Sequence, residues 1–271
     1  MRAVRSWGTL AVSVTLLLSA CASTRSTVPP TREGPKLTTV EVAPDASGAA
    51  SGTSSGAAED ESAFTQQVQQ GIVLARSRQA QRAIRDHFDP VIQHYEARYA
   101  ASNTRMYCAN STMEAVGYAM LAAKDGVSAR VLGPAWAAAY FFKGYSLVEL
   151  GNPDDARAWV EKAVALSPWN WMFLSELGHI HQTRHDWQAA MRAFNEALQH
   201  ADLGPADEVP TRKTRALRGL GFSLIELGRL DEAEAKFRAA LELDPNDERS
   251  KHELQYIEQK RKQGQPNDGS L

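Results

Sequence analysis

Apolar residues follow a helical period from residue 64 onwards. The spacing of five of these residues places them on one face of a helix: Phe64, Val68, Ile72, Ala75 and Ile84. Asp89 and Pro90 then predict the start of a further helix, because proline is tolerated in a first helical turn. No run shows the strict alternation of apolar and polar residues that marks a half-buried strand. The pattern therefore predicts a helical region over residues 63–136.

A capping signal predicts another helix inside this region. Ser111 is followed three residues later by Glu114, which is the spacing of a capping box. The predicted helix carries the apolar residues Met113, Val116, Met120 and Leu121. It should end near Gly126, because glycine commonly follows the last turn of a helix. The region thus contains several helices without a repeated pattern.

A pattern of small and large residues repeats in frame between residues 137 and 247. In segment 214–247 its positions are Leu217, Leu220, Gly221, Leu224, Gly228, Ala233, Phe237, Ala240 and Pro245. In segment 171–204 they are Leu174, Leu177, Gly178, His181, Ala190, Phe194 and Ala197. In segment 137–170 they are Tyr140, Gly144, Leu147, Gly151, Ala156, Val160, Ala163 and Pro168. Segments that repeat in this way are expected to stack in series, because a single repeat does not bury its apolar face alone.

These segments resemble the tetratricopeptide repeat, in which two helices pack closely around small residues. The resemblance implies an all-α, right-handed helical solenoid with two repeats in residues 137–204 and a third in 214–247. An insertion separates them at 205–213. Residues 248–263 are predicted to form a polar capping helix, and 264–271 a disordered tail.

The same resemblance implies a partner-binding groove on the concave surface, which the first helix of each pair lines. The family's groove positions correspond here to Ala138, Phe141, Tyr145, Val148, Met172, Ser175, His179, Gln182, Arg215, Arg218, Phe222 and Ile225. This mixed surface suits a protein or peptide ligand held by apolar anchors. Whether the chain's own N-terminal helices fill the groove is left open by the sequence.

Arg215 and Arg218 allow two interpretations. They could receive a carboxylate, which partly resembles the carboxylate-clamp members of the family. The first two repeats, however, lack the Lys and Asn residues that complete such a clamp. The favoured interpretation is that both arginines belong to a solvated face with Arg212 and Lys213.

Two further clusters are more typical of packing than of ligand binding. His179, His181 and His185 could share a metal, but His181 falls at a packing position and His185 at a predicted turn. Tryptophans at Trp136, Trp169, Trp171 and Trp187 could stack on sugars, as in a peptidoglycan-binding module. Their positions at repeat boundaries favour packing, so glycan binding is kept as the alternative function.

The N-terminus predicts export and a lipid anchor. Residues 1–20 combine two arginines with an apolar stretch of 14 residues, which is too short to span a bilayer comfortably. The sequence from Leu18 to Cys21 resembles the lipobox of bacterial lipoproteins, which implies acylation of Cys21, palmitate included. Ala22 and Ser23 follow, and the absence of Asp there favours the outer membrane, facing the periplasm. Residues 21–62 predict a disordered tether, because from residue 22 on, 28 of 41 residues are Ala, Ser, Thr, Gly or Pro.

Composition narrows the function. The 271 residues carry a formal charge of −2, so nonspecific electrostatic binding to nucleic acid is not expected. Two cysteines cannot form a disulfide framework or a four-cysteine zinc site, and Cys108 is expected to be buried and inert. Phosphate-binding, serine-hydrolase and zinc-protease motifs are absent from the sequence. We therefore expect no enzyme and no cofactor, but an envelope scaffold or adaptor, for example in secretion or pilus machinery.

Overall fold

The structure is a computed structural model that describes residues 39–42 and 55–264. The predicted signal peptide at 1–20, Cys21 and residues 265–271 lie outside the described residues. Of the predicted tether at 21–62, only residues 39–42 and 55–62 are described.

The chain is helical from residue 55 to residue 99 except for a short turn, as the apolar period predicts. Helix α1 (Ser55–Arg76) is followed by α2 (Ala80–Ala83), a π-helical turn (Ile84–Phe88) and α3 (Asp89–Tyr99). The predicted inner face of α1 is confirmed, because Val68, Ile72 and Ala75 are buried. The helix starts at Ser55, so it takes up eight residues that the sequence had assigned to the tether.

Helix α3 begins at Asp89 with Pro90 in its first turn, as predicted, but no loop separates it from the preceding π-helical turn. The backbone of Phe88 stays helical, with φ −80° and ψ −45°, and the run continues from α2 through the π-helical turn into α3. A π-helical turn rearranges the hydrogen-bond ladder near Pro90, which supplies no N–H. This lets the helix continue through the proline.

A small parallel sheet corrects the prediction that residues 63–136 are wholly helical. Its strands are β1 (Val40–Val42), β2 (Arg105–Cys108) and β3 (Ala129–Leu132), in the order β1-β3-β2. Val40 and Arg105 both lie opposite Ala129. Residues 40–42 therefore belong to the folded body and not to the tether. Strands of three or four residues are too short for an alternating pattern to show in the sequence.

Helix α4 (Thr112–Lys124) connects β2 to β3 and begins at the predicted cap. The Glu114 amide donates to Ser111 Oγ at 3.2 Å, and Glu114 Oε2 accepts from the Asn110 amide at 2.7 Å. The apolar residues noted in the sequence do not mark its buried face. Met113, Val116 and Met120 are exposed. The sheet is instead covered by the residues Ala115, Tyr118 and Ala122, all of them buried.

Three helix pairs and a capping helix make up the remainder. The pairs are α5 (Ala135–Glu149) with α6 (Pro153–Leu166), α7 (Trp171–Thr183) with α8 (Trp187–Gln199), and α9 (Val209–Glu226) with α10 (Leu230–Leu243). Helix α11 (Glu248–Gly264) follows and packs on α10. Each predicted repeat contains one pair, which confirms the all-α solenoid, here with a small sheet added. The predicted insertion at 205–213 is partly helical, because α9 starts at Val209.

Small residues allow the helices of each pair to approach closely. A Cβ atom at Gly221 in α9 would lie 2.6 Å from the Phe237 ring of α10. A Cβ atom at Gly178 in α7 would lie 2.8 Å from the Phe194 ring of α8. Both rings are buried, so a side chain at either glycine would displace a packed aromatic group.

The N-terminal helices pack on the first repeat. The ring of Tyr95 in α3 stacks on Trp136 of α5 with centroids 5.4 Å apart. Glu61 of α1 accepts a hydrogen bond of 3.0 Å from the Ala135 amide, which is an unsatisfied donor at the start of α5. These contacts join α1, α3 and α5 in one core.

Candidate functional site

A cavity of about 660 Å³ opens on the side of the second and third repeats. It lies between the end of α7, the start of α8, helix α9 and the capping helix α11. Its lining residues are His179, Gln182, Thr183, His185, Trp187, Arg215, Arg218, Gly219, Phe222, Phe237, Arg249 and Glu253. The volume falls in the range of about 300–1,000 Å³ that is usual for ligand pockets.

The cavity brings together part of the predicted groove. His179 and Gln182 reach it from α7, and Arg215, Arg218 and Phe222 reach it from α9. The first helices of repeats 2 and 3 thus line a concave surface, as the resemblance implies.

Other predicted groove residues lie elsewhere. Phe141, Ser175 and Ile225 are buried, because they pack between neighbouring helices instead of facing solvent. The Phe141 ring, for example, stacks on Phe173 of α7 with centroids 4.5 Å apart. Tyr145 and Met172 are half-buried and do not line the cavity, and the same is true of Ala138 and Val148. The groove therefore does not extend over all three repeats with the predicted residues.

Gln182 fixes the position of α7 against α9. Its side-chain nitrogen donates to the Gly219 carbonyl and to Ser223 Oγ, both at 2.9 Å. The side-chain oxygen lies 3.1 Å from His179 Nδ1. Gln182 is buried, so its amide is mainly a structural link and contributes little accessible surface to the cavity.

Aromatic rings supply the apolar part of the wall. Phe222 is 40% exposed, and its ring meets Trp187 edge to face with centroids 6.2 Å apart. The Phe237 ring contributes from α10. Exposed aromatic surface next to a cavity favours the burial of an apolar ligand group.

The two groove arginines are already paired within the chain. Arg215 donates to Glu176 Oε2 at 3.1 Å, and Arg218 donates to Asp247 Oδ1 at 2.7 Å. The interpretation as a freely solvated face is therefore wrong for both. It is also wrong for Arg212, which is buried and bonded to Glu208 at 2.6 Å.

His179 is a solvent-exposed titratable residue of the wall. Desolvation by neighbouring groups lowers the pKa of His179 below its ordinary value, and the nearby Glu176 carboxylate partly offsets this effect. The lowered pKa favours the neutral imidazole near pH 7.

Seven lining residues are not among the predicted groove positions, and four of them lie outside the first helices of the repeats and the turns that follow: Trp187, Phe237, Arg249 and Glu253. Trp187 begins α8, whereas Arg249 and Glu253 belong to the capping helix α11. Arg249 and Glu253 are four residues apart, so they lie on one face of a helix. This spacing is the feature of the sequence from which they could have been found. A capping helix thus takes part in the concave surface.

The N-terminal helices do not contribute to this cavity. All its lining residues lie between His179 and Glu253, whereas α1 and α3 pack against α5. In the described part of the chain, the N-terminal helices could therefore cover the concave surface of the first repeat, but they do not fill the cavity of repeats 2 and 3.

The histidine and tryptophan clusters follow the packing interpretation. His181 and His185 do not share a helix, because α7 ends at Thr183 and His185 lies in the turn with φ 58°. No group of three His, Cys, Asp or Glu residues is placed to hold a metal within residues 39–42 and 55–264. Trp136 is buried and Trp169 stacks on His200, so only Trp187 of the four tryptophans opens on the cavity.

Cys108 is buried in β2, and this gives a chemical prediction. In a Cys21→Ser variant, Cys108 is the sole thiol, and a maleimide should react with it only after denaturation. Mass spectrometry before and after urea treatment measures the labelling. Stoichiometric labelling of the native chain would contradict the burial of the thiol and reopen a nucleophilic role.

Across the described ranges, no helix has the length and apolar character needed to cross a membrane.

Comparisons with known proteins agree with the helix pairs. A family model described as tetratricopeptide repeat matches residues 214–247, and a second model with that description matches residues 137–168. These ranges coincide with α9–α10 and with α5–α6. No curated protein matches the chain.

Similar solved structures include two domains of human RPAP3. Its first tetratricopeptide-repeat domain is 23% identical, with a TM-score of 0.42, over 48% of this chain and 96% of that one. Its second such domain, in complex with an HSP70 peptide, is 19% identical, with a TM-score of 0.40, over 46% of this chain and 98% of that one.

MamA from Desulfovibrio magneticus RS-1 is also similar. It is 13% identical, with a TM-score of 0.49, over 73% of this chain and 85% of that one. The two matched segments and the three successive helix pairs lead to one assignment. The chain contains tetratricopeptide repeats, with the matched repeats at residues 137–168 and 214–247.

Proposed function

We propose that this chain is a protein–protein interaction scaffold that holds a segment of a partner protein between α7, α9 and α11. The observation that carries the proposal is the cavity of about 660 Å³ with the exposed Phe222 ring at its wall. Aromatic anchors in concave pockets dominate the energetics of many protein interfaces. The tetratricopeptide repeats support it, because stacked helix pairs create extended concave surfaces of this kind.

The proposed place of action is the cell envelope. Cys21 follows an apolar stretch and resembles a lipobox, and the residues after it favour the periplasmic face of the outer membrane. An anchored scaffold would act as an adaptor in envelope assembly or in secretion and pilus machinery. This part of the proposal rests on the sequence of residues 1–23 alone.

Mass spectrometry of the N-terminus tests the anchor. We expect the mature chain to begin at Cys21 with acyl chains attached, and to fractionate with the outer membrane. Two or more acyl chains give stable anchoring, because each buried CH₂ contributes about 0.8 kcal/mol. Cys108 is the internal control and should carry no lipid. A mature chain that begins elsewhere and carries no lipid would remove the anchor from the proposal.

In-cell photocrosslinking tests the interaction surface. A benzoylphenylalanine at position 222 preserves an aromatic side chain in the cavity wall and should capture one dominant partner. Leu243 is the matched control, because it is 37% exposed on α10 and lies outside the cavity lining. Capture from both positions, or from position 243 alone, would contradict a binding site in the groove.

A further inference from the structure

The charged groups of the cavity wall are largely compensated inside the chain. Glu176 pairs with Arg215, and its side chain is only 10% exposed. Asp247 pairs with Arg218 and is 6% exposed. Asp247 also accepts a hydrogen bond of 2.5 Å from Ser250 Oγ, which holds the carboxylate in place. Both arginines therefore face buried, fixed anions before any ligand arrives.

The remaining charges of the wall are balanced. Arg249 makes no ion pair within the described ranges 39–42 and 55–264, but Glu253 lies one turn away on the same helix and lines the same cavity. Desolvation lowers the pKa of His179, which favours its neutral form near pH 7. An acidic ligand would thus find one cation not already paired, with a carboxylate beside it. Long-range attraction for a negative segment is correspondingly weak.

Unlike the charged groups, the apolar surface of this wall is not covered by other parts of the chain. Trp187 and Phe222 present rings to the cavity, and Phe222 is 40% exposed. A group inserted into the cavity would cover this exposed aromatic surface, and its removal from water is favourable.

We propose that the cavity recognises a large apolar or aromatic side chain of its partner and does not select acidic segments or chain-terminal carboxylates. This inference rests on the proposed scaffold function and adds the chemistry of the ligand. It also excludes the carboxylate-clamp interpretation of Arg215 and Arg218, because Glu176 and Asp247 take the place that a ligand carboxylate would occupy.

Selection from a random peptide library on phage tests the proposal with the full chain. The immobilised protein is panned, and the selected peptides are titrated at about 0.05 M and about 0.5 M NaCl, across which surface charge interactions are strongly screened. We expect an aromatic or large aliphatic consensus, no enrichment of Asp or Glu, and affinities that change less than about threefold with salt. The variant Phe222→Ser should lose at least about tenfold in affinity, whereas Leu243→Ser should not.

A second variant keeps the test independent of folding. Glu176→Gln preserves the shape of the side chain but releases Arg215 from its anion, so panning on this variant should newly enrich acidic residues. An acidic, salt-sensitive consensus on the unmodified chain would overturn the inference while leaving the scaffold function intact. Two results would contradict the scaffold function itself: no peptide is enriched, or the enriched peptides bind the Phe222→Ser variant as tightly as the unmodified chain.

Discussion

Replacement of Phe194 by alanine should lower the free energy of unfolding by about 3–5 kcal/mol. Phe194 is completely buried in α8, and its ring fills the space beside Gly178 of α7. It also packs against Gly219 of α9, so one ring joins the second repeat to the third. Glycines on two sides of the ring have no side chain to fill the resulting cavity, so collapse of the site is limited.

Urea unfolding of matched variants measures this effect. Phe222→Ala removes the same side chain from an exposed position, and we expect a change of less than about 1 kcal/mol. The two phenylalanines thus separate packing from surface effects within adjacent helices. Similar small losses for both variants would mean that Phe194 does not join the two repeats.

Gly221→Leu should destabilise the last repeat by about 1–3 kcal/mol or more. The new Cβ would lie 2.6 Å from the buried Phe237 ring, so α9 and α10 must separate. We expect a lower thermal midpoint and faster amide exchange in α10 and α11. The control is Glu226→Leu, which places leucine on an exposed position of the same helix. An unchanged midpoint for Gly221→Leu would contradict the alignment of the third repeat.

The repeated helix pairs could be predicted because each one repeats the same packing constraint. Gly178 and Gly221 occupy equivalent positions, and each lies against a buried aromatic ring. A residue type that is required by close packing leaves a periodic signal in the sequence. The capping helix was predicted because a stack of helix pairs needs a polar helix at its end, and Ile257 of this helix is buried against the stack.

The α/β element in the N-terminal region could not be predicted in this way. Strands of three or four residues carry no readable period, and β1 is stabilised by pairing with β3, which is distant in sequence. In α4 the buried face consists of small residues and one tyrosine, Tyr118, whereas the larger methionines are exposed. Hydrophobicity alone therefore does not indicate the buried face of that helix.

The candidate site was predicted in part, because family positions describe helix faces but not ion pairs. Of the predicted groove residues, His179 and Phe222 line the cavity. The pairing of Arg218 with Asp247 joins α9 to the residue that precedes α11, and no local pattern indicates it. The contribution of α11 to the wall likewise depends on how the capping helix packs.

Hydrogen–deuterium exchange on the full chain, with and without the partner captured at Phe222, tests the central claim most directly. The account predicts slower exchange in residues 179–187, 215–222 and 249–253, which line the cavity from three helices. Exchange in residues 188–199, which form the rest of α8, should not change. Slower exchange confined to α8, α10 or α4 would place the partner on another surface and contradict binding in the groove.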